Sequence, residues 1–318
     1  MKIFLRMISI LMLVATLFIG GCNSNTEQND NTEGTTETEQ MITELSTQTN
    51  SDEITNLPAI EERFAPIREK AKTQGIKVLF IGNSLTYYND MPRIFQMLSL
   101  MGGKKVTVDS VTKGATGIGD WRADSTLWNE RVEKIRSKDW DIVVIQPNRH
   151  GSVMTEELPW YASWELSAAK ELVEIIRENG SEPVIYSSFG VNNGVATSEN
   201  VTKAVTRKEH TDLITAYCAA VAKELDCMSV YVCSTFNKVY EERNDLNLYH
   251  TDERHPSAMG SYLVACDFYT MIFGESAENV NYNGSLNAET AKYLRKTAAT
   301  LLGFTPEKIA VIEEIEKP

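Results

Sequence analysis

Three side chains of this sequence have the types and the spacing that nucleophilic catalysis requires. Ser84 stands in a polar turn just after the apolar run at residues 77–82, while Asp252 and His255 lie three residues apart in a later polar stretch. A carboxylate bound to one ring nitrogen fixes the imidazole tautomer and leaves the other nitrogen free to take the proton of a serine hydroxyl. We therefore predict that Ser84 is a nucleophile, His255 its base and Asp252 the group that orients the base. Taken singly, Ser84 could cap a turn and His255 could pack at a helix entry beside Pro256.

Two other loops could supply hydrogen-bond donors to the same reaction. Gly114 follows the second predicted strand and Asn148 follows the third. A glycine lets a backbone N–H approach a substrate oxygen closely, and an asparagine amide can donate a further bond. With the N–H of Ser84 they make three donors for a tetrahedral oxyanion, although each is by itself a common turn residue. Gly114, Gly117 and Gly119 are spaced G-x-x-G-x-G, which is not the dinucleotide-binding spacing.

The elements that must position these residues alternate regularly between strand and helix patterns. Strands are predicted at residues 77–81, 105–111, 141–146, 183–187 and 229–233. Helices are predicted at residues 60–72, 91–101, 125–136, 160–178, 201–225, 257–273 and 288–302. Strands separated by helices of this length indicate a parallel sheet covered on both faces. The predicted fold class is α/β: one doubly wound domain with a mainly parallel sheet of about five strands in the flavodoxin-like order.

The amino terminus reads as a targeting segment at residues 1–21. Lys2 and Arg6 precede an apolar run at residues 7–19, which Gly20-Gly21-Cys22 follows. A basic start before a short apolar stretch is typical of a secretory signal peptide. The small residues before Cys22 resemble the bacterial lipoprotein processing site, which implies cleavage before Cys22 and a lipid on its sulfur. The expected location is therefore extracytoplasmic and lipid-anchored to a bacterial membrane; the alternatives are an ordinary secreted protein and an uncleaved anchor.

Residues 22–58 are predicted to be a lipidated cysteine and a disordered acidic linker that precedes a domain at residues 59–318. The linker carries eight acidic residues and no lysine or arginine, and it has almost no aromatic or branched apolar residues. Such a composition buries too little surface to fold. The chain has 318 residues and a formal net charge of −13, and no basic stripe with interleaved aromatics indicates nucleic acid.

The remaining cysteines do not form a metal-binding pattern. No C-x-x-C pair occurs and no histidine stands at metal-ligand spacing from them, so neither a metal nor another cofactor is predicted. Apolar surroundings favour buried thiols, and Cys233 is expected to end a strand. A disulfide involving Cys218 or Cys227 stays open. The four cysteines concerned are Cys218, Cys227, Cys233 and Cys266.

Taken together, these blocks resemble the SGNH, or GDSL-type, hydrolases over roughly residues 78–273. The residues that match the serine, glycine, asparagine and D-x-x-H blocks are Ser84, Gly114, Asn148, and Asp252 with His255. Three positions depart from the usual pattern. Asn83 stands where many members have aspartate, Gln146 where glycine is usual, and Arg149 where an aspartate often follows.

The resemblance implies the flavodoxin-like SGNH hydrolase fold and a serine esterase that forms an acyl-enzyme on Ser84 without a cofactor. A position outside the cell on a long hydrated linker favours small acyl groups, O-acetyl above all, on carbohydrate. Lipases and thioesterases of the same family are the alternative enzymes. The competing class is a non-catalytic glycan- or peptide-binding lipoprotein, and the oligomeric state is left open. Aromatic residues that could receive a sugar ring are Tyr87, Tyr88, Trp121 and Trp160.

Overall fold

The protein is described by a computed structural model that covers residues 57–149, 159–196 and 204–304. Five strands form one sheet, and each pairing between neighbouring strands is parallel. The strands are β1 (Ile76–Gly82), β2 (Val106–Thr112), β3 (Ile142–Ile145), β4 (Glu182–Ser187) and β5 (Met228–Tyr231). Their spatial order is β2-β1-β3-β4-β5, the flavodoxin-like order, so the predicted fold class is confirmed.

Helices connect these strands and follow the last one. The first half of the chain forms α1 (Leu57–Thr73), α2 (Ser84–Tyr87), a 3₁₀ turn (Tyr88–Asp90), α3 (Met91–Met101), α4 (Ile118–Ala123) and α5 (Ser125–Arg136). The second half forms α6 (Pro159–Glu178), α7 (Arg207–Glu224), α8 (Val232–Glu242), α9 (Ala258–Phe273), α10 (Ala288–Ala298) and a 3₁₀ turn (Ala299–Leu301).

The interior strand β1 shows why the sheet is covered on both faces. Its side chains alternate between two separate apolar cores: Val78 and Phe80 lie in one, and Leu79 and Ile81 in the other. Because successive side chains of a strand point to opposite faces, a continuous apolar run needs helices on both sides. On the first face Phe80 meets Phe268 of α9 edge to face, with ring centroids 5.2 Å apart. The run thus fixes β1 inside the sheet, between β2 and β3, and brings its carboxyl end, where Ser84 follows, to the ligand-binding edge of the sheet.

The predicted strand at residues 229–233 was wrong at its end. β5 stops at Tyr231, and α8 begins at Val232, so Cys233 lies in the first turn of a helix and does not end a strand. The buried residues Val232, Phe236 and Val239 recur with helical spacing, which the predicted strand at 229–233 cut short. All four of the later cysteines are buried free thiols, so no disulfide forms at Cys218 or Cys227 in this structure.

Several sequence predictions lie outside the described residues. These are the signal peptide at residues 1–21, the lipidation site Cys22 and the linker up to residue 56. Within the three described ranges, no helix is long and apolar enough to span a bilayer. In the same part of the chain, no group of three histidine, cysteine, aspartate or glutamate side chains is arranged to hold a metal ion.

Candidate active site

Ser84 occupies the first position of α2, directly beyond β1. Asn83 caps this helix, since its Oδ1 accepts the backbone N–H of Leu85 at 3.0 Å. The turn needs Gly82, because a Cβ there would collide with Thr86 Oγ1 and stand 2.9 Å from Gln146 Oε1. The backbone N–H of Ser84 belongs to the first helical turn, whose N–H groups have no carbonyl partner within the helix. The serine is therefore held at a helix start with both its hydroxyl and its N–H at the sheet edge.

The structure brings the three predicted catalytic side chains together. His255 Nε2 lies 2.9 Å from Ser84 Oγ, and His255 Nδ1 lies 2.6 Å from Asp252 Oδ2. Both distances are those of hydrogen bonds, and the first joins residues 171 positions apart in the chain. The serine and the aspartate therefore contact opposite nitrogens of one imidazole, as a nucleophile, base and orienting acid require.

Asp252 is itself fixed by the backbone of its own loop. Its Oδ1 accepts the N–H of Arg254 at 3.0 Å and the N–H of His255 at 2.9 Å. Partial burial raises the pKa of Asp252, but these N–H donors and the His255 ring outweigh it, so the net pKa lies well below its usual range. The group that faces the imidazole is thus a carboxylate, which can only accept a hydrogen bond from the ring N–H.

An aromatic ring packs against the imidazole of His255. Tyr88 lies parallel to the imidazole of His255, with ring centroids 4.1 Å apart and an interplanar angle of 4°. His250 meets the same tyrosine edge to face at 5.9 Å, and its Nδ1 stands 3.5 Å from Asp252 Oδ2. Tyr87 stacks on Tyr88 and is 44% exposed. The predicted sugar-binding tyrosines therefore lie at the site, and one of them stacks on the ring of the histidine.

The loops predicted to supply oxyanion donors reach the same edge of the sheet. Gly114 lies against α2, since a Cβ built on it would stand 3.0 Å from the hydroxyl oxygen of Tyr87. Asn148 is partly buried, and its backbone N–H donates to Glu165 Oε1 at 2.9 Å. Any hydrogen bond that Asn148 offers a substrate must therefore come from its side-chain amide. The roles of Ser84, Gly114 and Asn148 as oxyanion donors stay predictions.

Two residues that depart from the usual family pattern, Gln146 and Arg149, make hydrogen bonds that support the site. Gln146 is fully buried; its Oε1 accepts the hydroxyl of Thr86 at 2.6 Å, and its Nε2 donates to Asn83 Oδ1 at 2.9 Å. Arg149 is 7% exposed and donates to the carbonyl of Arg254 at 2.8 Å. Burial lowers the pKa of Arg149 to about 10, so the guanidinium stays charged at neutral pH. One departure thus supports the serine turn and another supports the Asp252–His255 loop.

Sequence reasoning missed these supporting contacts and misjudged one aromatic residue. Trp121 is fully buried, its Nε1 donates to Thr116 Oγ1 at 2.7 Å, and the Arg131 guanidinium lies 4.6 Å from its ring centroid. It therefore cannot receive a sugar ring, contrary to the interpretation as a binding residue. The side chain of Trp160 lies outside the described residues. A further buried residue, Glu165, accepts backbone hydrogen bonds from two site loops, and no motif marked it.

No family model matches this chain, and no curated protein matches it. Among solved structures it is similar to a DUF4886 family protein from Bacteroides uniformis, with 13% identity and a TM-score of 0.61 over 76% of this chain and 99% of that one. Axe2, an acetylxylan esterase from Geobacillus stearothermophilus, matches with 18% identity and a TM-score of 0.45 over 62% of this chain and 94% of its own. TesA matches with 10% identity and a TM-score of 0.44 over 62% and 97%. At 13% identity, the similarity to the DUF4886 protein shows a shared α/β fold.

Proposed function

We propose that this protein is a serine esterase of the SGNH type that hydrolyses small acyl esters through an acyl-enzyme on Ser84. The observation that carries the proposal is the continuous hydrogen-bonded relay in which His255 contacts Ser84 Oγ at 2.9 Å and Asp252 Oδ2 at 2.6 Å. A serine that only capped a turn would not need an imidazole aligned on its hydroxyl by a carboxylate.

In this mechanism Ser84 Oγ attacks the ester carbonyl carbon while its proton passes to His255 Nε2. The carbonyl oxygen becomes an oxyanion that accepts hydrogen bonds from the N–H groups of Ser84 and Gly114 and from the Asn148 amide. His255 returns the proton to the leaving alcohol oxygen, and the acyl group stays on Ser84. Water then attacks the acyl carbonyl carbon while its proton passes to His255 Nε2, the bond from that carbon to Ser84 Oγ breaks, and His255 returns the proton to Ser84 Oγ as the carboxylic acid leaves. Asp252 holds the tautomer and stabilises the imidazolium that forms twice per cycle.

The finer proposal is that the substrate is an O-acetyl or similar small acyl ester of a carbohydrate. It is supported by Tyr87, whose 44% exposed ring extends the stack of Tyr88 and His255 at the rim of the site, where a pyranose could lie. The acidic linker and net charge of −13 suit a hydrated polysaccharide better than an anionic lipid surface. Lipase or thioesterase activity is the alternative within the same mechanism.

A fluorophosphonate probe tests the mechanism directly, because it modifies only a serine that a base activates. We expect labelling of the wild type at Ser84, and loss of labelling and a fall in turnover of about a million-fold in Ser84→Ala. The matched control is Ser110→Ala, an exposed serine on β2, which should label and turn over as the wild type does. A folded wild type that stays unlabelled from pH 5 to 9 would favour a non-catalytic binding protein.

Two further measurements test the finer parts of the proposal. A hydrolysis panel of acetylated xylan, acetylated peptidoglycan, short aryl esters and long-chain acylglycerols should show preference for acetyl groups. Preference for long acyl chains would replace the carbohydrate substrate and leave the Ser84 mechanism standing. For the proposed extracytoplasmic lipid anchor, Cys22→Ser should abolish incorporation of labelled fatty acid and release the protein from the membrane fraction. Tight membrane attachment of that variant would contradict the anchor.

A further inference from the structure

Glu165, on α6, is 1% exposed, and both of its carboxylate oxygens accept backbone N–H groups from two separate segments. Its Oε1 accepts from Ile118 at 3.0 Å and from Asn148 at 2.9 Å. Its Oε2 accepts from Gly119 at 2.7 Å. Ile118 and Gly119 begin α4, which follows the Gly114 loop, whereas Asn148 follows β3. One buried side chain therefore joins the segments on which two of the three proposed oxyanion donors lie.

The glycines of this segment allow α4 to lie close to Glu165. A Cβ at Gly117 would stand 2.7 Å from Glu165 Oε1 and 2.7 Å from the Cβ of Asn148. A Cβ at Gly119 would stand 2.6 Å from the ring of Trp164. These distances are too short for non-bonded atoms, so any larger residue would push α4 away from α6. The G-x-x-G-x-G stretch thus lets the backbone reach a carboxylate.

The serine turn is tied to this same segment from its other side. Asn83 Nδ2 donates to the carbonyl oxygen of Thr116 at 3.0 Å. Thr116 lies just before Ile118 and Gly119, whose N–H groups donate to Glu165. Hydrogen bonds therefore connect the segments after β1, β2 and β3. Asn83 binds Thr116, and Glu165 binds both the start of α4 and Asn148. Oxyanion donors act only when they are held about 2.7–3.1 Å from the developing charge, so contacts that fix their positions bear directly on rate.

We propose that Glu165 is a positioning residue of the oxyanion site, which holds Asn148 in register with the Gly114 loop. This inference rests on the proposed esterase function. A carboxylate suits the role because both of its oxygens only accept hydrogen bonds, whereas an amide presents an acceptor on one side and a donor on the other. Glutamine at this position would set an NH₂ group against a backbone N–H and loosen one loop.

The first test compares Glu165→Gln with the wild type on an aryl acetate. We expect kcat to fall by about tenfold or more with KM nearly unchanged, less than the roughly 10²–10³ that removal of a whole oxyanion donor costs. Rates are expressed per folded molecule, as measured by circular dichroism and urea unfolding. The matched control is Glu174→Gln, which removes the same charge from an exposed position on the same helix and should leave kcat unchanged.

A double-mutant cycle with Asn148→Ala separates positioning from a general effect on the fold. If Glu165 acts through Asn148, Glu165→Gln should lower kcat by a smaller factor in the Asn148→Ala variant than in the wild type. We expect the two factors to differ at least threefold. Equal factors in both backgrounds would overturn the inference, and so would a wild-type kcat in Glu165→Gln. Should that variant not fold, Gly117→Ala replaces it, because the added Cβ wedges between Asn148 and Glu165 while the buried carboxylate stays.

The two proposals fail in different ways. A wild type without esterase activity or labelling at Ser84 would remove the proposed function and this inference with it. An active wild type whose Glu165→Gln and Asn148→Ala effects multiply independently would remove only the role of Glu165.

Discussion

Gln146 and Asn83 hold each other through two hydrogen bonds although 63 positions separate them in the chain. The side-chain amide of Gln146 donates to Asn83 Oδ1 at 2.9 Å, and its oxygen accepts the backbone N–H of Asn83 at 3.2 Å. Both residues depart from the pattern that the SGNH resemblance leads one to expect, and the pairing accounts for both. Asparagine is required at 83 because its NH₂ also donates to the Thr116 carbonyl, which an ionised aspartate could not do.

Gln146→Ala should therefore destabilise the serine turn. The substitution leaves the backbone N–H of Asn83 and the hydroxyl of Thr86 without their acceptor in a buried place. Each buried polar group left unpaired costs about 1–3 kcal/mol, so we expect the free energy of unfolding to fall by about 2 kcal/mol or more. Urea unfolding measures this, with an unchanged m value. We also expect a lower kcat, since Ser84 follows Asn83.

The matched control for that variant is Gln74→Ala, which truncates an exposed glutamine just after α1. Its unfolding midpoint and kcat should equal those of the wild type. An unchanged midpoint for Gln146→Ala as well would mean that the pairing of Gln146 with Asn83 contributes nothing measurable to stability.

Local signals in the sequence were sufficient for most of the fold. The helices Met91–Met101 and Ser125–Arg136 begin and end at the predicted residues, because proline and a capping aspartate mark their starts. β1 was predicted within one residue at each end, since a continuous apolar run suits a strand buried on both faces. The D-x-x-H spacing also held enough information to place Asp252 against His255, because one turn of chain sets that distance.

Contacts that depend on the packing of distant segments could not be predicted in the same way. Glu165 lies 46 positions from Gly119, and the sequence pattern around it indicates only an acidic residue on an amphipathic helix. Tyr88 meets His255 only because two loops converge on one sheet edge. Cys233 was misassigned because a strand and the helix that follows it are both apolar there, and their boundary carries no glycine or proline. Sequence patterns locate elements and motifs, whereas the residues that hold a site rigid emerge only from the tertiary structure.

Asp252→Asn should lower kcat by about 10⁴, the size of the same change in a serine protease triad. The amide can donate to the ring nitrogen that faces it, which stabilises the wrong tautomer of His255. A depressed pKa makes the Asp252 carboxylate stabilise the fold above the unfolded-state value of about 3.9, and this contribution is lost as pH falls through the folded value. The expected fall in kcat is measured with purified Asp252→Asn, and the exposed control Asp245→Asn should keep the wild-type kcat. A variant within tenfold of the wild type would contradict the role of Asp252.

Tyr88→Leu should reduce kcat/KM by about tenfold or less. The stacked ring restrains the imidazole of His255, and aromatic pairs of this kind contribute about 0.5–1.5 kcal/mol beyond their buried area. Tyr88→Phe keeps the ring and is the matched control, expected to behave as the wild type. Both variants are compared after titration of reactive serine with a fluorophosphonate, so that only active molecules are counted. Equal rates in the leucine and phenylalanine variants would show that the stack does not orient His255.

A buried carboxyl group in α9 gives the fold a pH dependence unrelated to the site. Asp267 is fully buried, and burial raises its pKa well above the usual value. The hydroxyl of Thr235 lies 3.0 Å from the Val232 carbonyl and 2.6 Å from Asp267 Oδ2. A hydroxyl has one hydrogen, and a carbonyl can only accept it. The short contact to Asp267 is therefore satisfied when the carboxyl carries its own proton and donates to Thr235.

Asp267→Asn should make the protein more stable than the wild type at neutral and alkaline pH. A raised folded-state pKa means that the folded protein binds this proton more tightly, so its contribution to stability is complete below the unfolded-state pKa of about 3.9 and is lost as pH rises towards the folded value. Asparagine mimics the protonated acid, because its NH₂ can donate to Thr235, and it has no proton to lose. Urea unfolding at pH 5, 7 and 9 should show the difference in unfolding free energy growing in favour of the variant. The exposed control Asp139→Asn should run parallel to the wild type over this range, and the same parallel course for Asp267→Asn would mean that Asp267 is ionised in the fold.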